Sequence, residues 1–135
     1  MKTYGLNVIP VLFLVFFLNA CNISDIGQIE LTSQKSPLTT MEHIAFTANK
    51  CWFINDKDIF HSYRLAPELQ SYSGRPRILL VPYENPDQRP LLVVEAQGNP
   101  TVVSSYGPLL HSPLGKNIAN DLTRWVKGDD RCSKS

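Results

Sequence analysis

Apolar positions fall into three kinds of pattern along the chain. The first is a mostly apolar run, Leu6 to Leu18, unbroken from Val11 onward and interrupted earlier by Asn7 and Pro10. The second is a helical period. Met41, Ile44, Ala45, Ala48, Cys51 and Trp52 recur on one face, which predicts a helix from Thr39 to about Asn55. Thr39 and Glu42 have the spacing of a capping box at its start. Trp52 falls on the apolar side and reads as core. The third pattern is short β-type runs between turn signals. Tyr63 to Leu69, Arg77 to Glu84, Leu91 to Ala96 and Thr101 to Tyr106 are predicted strands. The stretches 71–76, 85–90 and 98–100 are rich in Gly, Pro, Asn and Ser and read as turns. Pro67 and Pro82 cannot donate to a ladder, so each is expected at an edge, an end or a bulge.

A second helical period closes the chain. Leu114, Ile118, Leu122, Trp125 and Val126 share a face, and Gly128 supplies a stop. Ser112 and Pro113 have the order of an N-cap followed by proline at the first helical position. The expected fold is therefore α+β, in the order α-β-β-β-β-α. It is an antiparallel sheet of about four strands with both helices on one face. The runs Ile78–Val81 and Leu91–Val94 are apolar at consecutive positions, as in strands buried on both faces. Two helices cover one face only. The other is expected to meet a partner, a second copy, the N-terminal segment or the chain's own loops.

The opening segment reads differently. Lys2 is followed by the short apolar run, and no acidic residue precedes Asp25. That is the order of a secretory signal peptide, and the run is shorter than the ~20 residues of a membrane span. Leu18-Asn19-Ala20-Cys21 then resembles the lipobox of bacterial lipoproteins, with Asn at a position more often held by Ala or Ser. The resemblance implies cleavage between Ala20 and Cys21 and a diacylglyceryl group on the Cys21 thiol. Stable anchoring needs two or more acyl chains, each buried methylene contributing about 0.8 kcal/mol. Asn22, where enteric lipoproteins kept in the inner membrane carry Asp, implies an outer-membrane location facing the periplasm. The stretches 63–69 and 73–82 also resemble small alphaproteobacterial envelope lipoproteins, a likeness that implies no activity. The expected organisation is a signal peptide over 1–20, a lipidated tether over 21–38 and a single domain over 39–135. Within the tether, Ile23, Ile26, Ile29 and Leu31 leave open a short strand or docking segment.

Charge adds little. Loss of residues 1–20 removes Lys2 and no acid, leaving 12 basic and 12 acidic residues. That balance favours neither nucleic acid nor an anionic surface. Cys51 and Cys132 remain as an even pair in an exported chain, which predicts one disulfide. No Cys-x-x-Cys and no His pair at ligand spacing is present, so no metal is expected, and no cofactor motif is visible.

Candidate catalytic groups are sparse. His43, His61 and His111 are isolated in sequence, and no Gly-x-Ser-x-Gly elbow occurs. Asp56 and Asp58 flank Lys57, more in the manner of a solvated loop than of a carboxylate pair. Arg64, Arg75, Arg77 and Arg89 are interleaved with Glu68, Glu84 and Glu95, which suggests a mixed-charge surface. The expectation is a non-enzymatic envelope lipoprotein acting in binding or assembly. One alternative is an inhibitor of a secreted enzyme such as a lysozyme, using the stiff 85–90 loop. Another is an enzyme whose site joins residues distant in sequence, such as His61 with an acid.

Overall fold

The computed structural model describes Gly5 and residues 27–133. Five strands form one antiparallel sheet in the order β1-β5-β4-β3-β2. They are β1 Gln28–Ser33, β2 Tyr63–Glu68, β3 Arg77–Pro82, β4 Leu92–Gln97 and β5 Thr101–Tyr106. The helices are α1 Pro37–Ala48, the single-turn α2 Lys57–Phe60 and α3 Gly115–Val126. The fold class is α+β, with one strand more than the sequence predicts.

That extra strand corrects the tether. Residues 28–33 pair along β5 from Gln28 opposite Tyr106 to Ser33 opposite Thr101. Gln28, Glu30 and Thr32 face solvent, while Ile29 and Leu31 are half-buried against the core. The alternation is that of an edge strand with one wet face. The domain therefore begins at β1 rather than at Thr39. The rest of the expected tether, residues 21–26, lies outside the described residues.

Helix α1 starts earlier than its capping-box pattern implies. Ser36 is the N-cap and accepts from the Thr39 amide at 3.3 Å, and Pro37 occupies the first turn. Its buried face carries Met41, Ile44, Ala45 and Ala48. The chain then runs on as a π-helical segment, Asn49–Asn55, which brings Cys51 and Trp52 inward. At the other end, a 3₁₀ turn at Pro108–His111 precedes α3. Leu114, rather than the expected Ser112, is the N-cap of α3, and Ser112 closes the turn before it. Its Oγ accepts from Leu114 N at 3.2 Å and its carbonyl from Gly115 N at 2.9 Å.

The core lies between the helices and one sheet face. Ile78, Leu80, Leu92, Val94, Ala96 and Val103 meet the apolar faces of α1 and α3 in one cluster. Trp52 is central to it. Its ring stacks on Phe60 with centroids 5.2 Å apart and stands 4.9 Å from the ring of Trp125. The opposite face holds a smaller cluster, Leu79, Val81 and Val93, with 8%, 5% and 9% of each side chain's residue surface exposed. Consecutive apolar runs in β3 and β4 thus serve two cores. Pro67 sits in the edge strand β2 and Pro82 ends β3.

Candidate functional site

The expected lipid-attachment and cleavage residues, Ala20 and Cys21, lie outside the described residues. Cys51 and Cys132 are joined by a disulfide across 81 residues, with Cα atoms 5.2 Å apart. It fastens the C-terminal segment 129–133 beside the helices. Further bonds hold the same segment. Trp125 Nε1 donates to the Arg131 carbonyl at 3.2 Å, and Lys50 Nζ donates to that of Asp130 at 2.7 Å. The Asp129 carboxylate accepts from the Arg131 guanidinium and amide, which hold it well below the usual carboxylate range.

One buried charge escaped the sequence reading. Asp121 is only 4% exposed. Its Oδ2 accepts from Trp52 Nε1 at 2.8 Å, and its Oδ1 accepts from Arg124 and from Ser133 Oγ. Its position on α3, three residues after Ile118 and four before Trp125, places it inside the apolar stripe. That polar interruption was the available signal. With both carboxylate oxygens satisfied, it acts as a polar clamp between α3, the π-helical segment and the C-terminal segment.

The histidines are spread apart. His43 is half-buried on α1, with Nε2 enclosed and no hydrogen-bond partner. His61 caps α2, its Nδ1 2.6 Å from the Asp58 carbonyl. His111 ends the 3₁₀ turn and is exposed. Among the described residues, no group of three His, Cys, Asp or Glu side chains could hold a metal ion. The arginines of the sheet are paired or stacked: Arg77 with Glu68, Arg75 with Glu95 at 3.8 Å, and Arg64 4.2 Å above the Tyr83 ring.

Concave surface gathers at one end of the sheet, where β1, β2 and β4 finish and β3 and β5 begin. A cleft of about 330 Å³ lies between the turn 33–37 and the β4–β5 hairpin at Gly98–Thr101. A broader one of about 600 Å³ follows the β2–β3 connection from Pro67 to Ser73. A third, of about 400 Å³, joins Pro37 and Leu38 to Leu69 and Pro76. Their walls mix hydroxyls, amides and prolines, with Lys35, Glu68 and Arg77 as charges, and Tyr72 stands fully exposed beside them. Such open, mixed walls suit contact with a polypeptide or glycan surface better than enclosure of a small reactant. We refer to this end as the distal end. Compared with known proteins, the chain matches no protein-family profile, no curated protein and no solved structure.

Proposed function

We propose that this chain is a lipid-anchored envelope lipoprotein that acts as a non-enzymatic binding or assembly module. One observation carries the reading: the Leu18-Asn19-Ala20-Cys21 lipobox directly after a short signal-type apolar run. The Cys51–Cys132 disulfide supports it, since such bonds persist in oxidising compartments outside the cytosol. Among the described residues no helix is long and apolar enough to cross a membrane, so attachment through lipid on Cys21 would supply the membrane contact. The binding role is supported by the clefts of the distal end, whose titratable groups are paired or dispersed rather than convergent.

Intact mass of the protein from native membranes tests the reading. A chain beginning at Cys21, heavier by two or three acyl groups, is expected, and reduction should add two protons. An unmodified chain that retains residues 1–20 overturns the anchor, and free thiols at Cys51 and Cys132 overturn the argument from compartment.

A further inference from the structure

We propose that the end of the sheet where β1 begins rests on the phospholipid headgroups, with Tyr83 and Tyr106 at the contact. The clefts of the distal end then face away from the bilayer. This inference rests on lipid attachment at Cys21 and adds an orientation to it.

The length of chain before β1 limits the choice. Seven residue steps separate Cys21 from Gln28. Covalent geometry caps their span at about 25 Å, whatever their conformation. A domain of this size has a radius of gyration of about 13 Å, hence a width of some 35 Å. Strand β1 is six residues long, or about 20 Å. To set the distal end on the bilayer, the connection would have to run back along all of β1, leaving about 5 Å to reach the anchor. The end at Gln28 has no such demand.

A flat posture on the outer sheet face is disfavoured by charge. Glu30, Glu68, Arg77 and Glu95 project there, on the opposite side from the helices. Pressing them onto lipid would strip water from a row of ionic groups.

The surface at the Gln28 end has the matching chemistry. Tyr106 stands directly opposite Gln28 on β5. Tyr83 follows β3 toward the same end, four residues beyond Leu79, the β3 residue in the row of Val93 and Tyr106, and Tyr106 and Tyr83 are 38% and 48% exposed. Tyrosine combines an apolar ring with a hydroxyl, which favours the membrane–water interface. Arg64 over the Tyr83 ring places a cation beside that ring, suited to a lipid phosphate. Arg89 is exposed on the adjoining loop, together with Glu84 and Asp87. Acids and bases balance there, so the fit is to a zwitterionic headgroup surface. The 85–90 loop would face the cell's own membrane, which removes the main support for its use against a soluble secreted enzyme.

Tyrosine labelling tests the orientation. The native lipidated protein in phosphatidylcholine vesicles is iodinated enzymatically from the aqueous side. The unlipidated chain starting at residue 22 is treated in parallel, and incorporation at each tyrosine is read by mass spectrometry. Labelling of Tyr83 and Tyr106 is expected to fall severalfold on vesicles, while Tyr72 at the distal end labels equally in both. Protection of Tyr72, or undiminished labelling of Tyr83 and Tyr106 in a sample whose mass shows acylated Cys21, overturns the orientation alone. Absence of acyl mass on Cys21 overturns the anchored reading, and the orientation with it.

Discussion

Trp52 Nε1 donates to Asp121 Oδ2 at 2.8 Å across 69 residues of sequence, joining the π-helical segment to α3 inside the core. The same carboxylate holds Arg124 and Ser133. Asp121→Ala would leave the indole N–H without a partner and the guanidinium without its nearby counter-charge. Removing one member of a buried pair destabilises by about 3–5 kcal/mol, and Arg124 is about one-third exposed, so about 3 kcal/mol is expected. Urea unfolding checks it. The midpoint should fall with the slope unchanged. A shift below about 1 kcal/mol would show that water replaces the carboxylate without penalty.

The disulfide should account for a further share of stability. In the chain-entropy model, a loop of this length contributes about 4–5 kcal/mol. Unfolding with and without dithiothreitol, or of a Cys51→Ser/Cys132→Ser chain, should differ by that order. A negligible difference would mean that residual structure in the unfolded chain already keeps the two ends of the loop close, so that the crosslink removes little entropy.

Gly115 opens α3 with its Cα turned against the 3₁₀ turn. A Cβ there would overlap the Leu110 carbonyl, which is backbone and cannot swing aside. Alanine favours a helix by about 1 kcal/mol over glycine, but overpacking costs about 1–3 kcal/mol. Gly115→Ala should therefore destabilise, whereas propensity alone would stabilise. Thermal unfolding gives the sign directly.

The pH dependence has a local marker. The Asp129 carboxylate is held below its ordinary value of 3.8, first by the Arg131 side chain and then by its amide. A depressed folded value means that this contact is fully present above about pH 4 and weakens as pH falls toward the lowered value. The 81% exposure of the Arg131 side chain makes the effect on global stability small. Carboxyl carbon shifts followed by NMR should show Asp129 still ionised when exposed carboxylates without such a partner have taken up protons. Titration alongside them would show that the Arg131 contact does not persist in solution.

Much of the sheet was legible because its strands carry strong apolar runs between clear turns. The four central and far strands fall within two residues of their predicted limits. β1 is legible only as an open possibility, because an edge strand needs few apolar residues. Ile29 and Leu31 alone face the core, and the polar residues between them resemble a linker. Ser36 caps α1 three residues before the Thr39 of the Thr39–Glu42 spacing, whereas the same Ser-Pro order at Ser112-Pro113 closes a 3₁₀ turn and α3 is capped at Leu114. Asp121 was passed over because a stripe is read by its apolar members. The clefts were not legible at all. They arise where separate turns meet at one end of the sheet, which depends on strand order rather than on local sequence.

The position of β1 also sets how the molecule bears load. With the proposed attachment at Cys21 it would leave the anchored side, and it runs along the strand axis bonded sideways to β5, which lies within the loop closed by Cys51 and Cys132. A partner held at the distal end and a membrane holding Cys21 would pull along that axis. The ladder bonds lie across it, so they would be strained together in shear rather than opened one after another. Beyond α1, the disulfide would stop the chain from unravelling further, making the edge strand the component that would decide how much load the domain can bear.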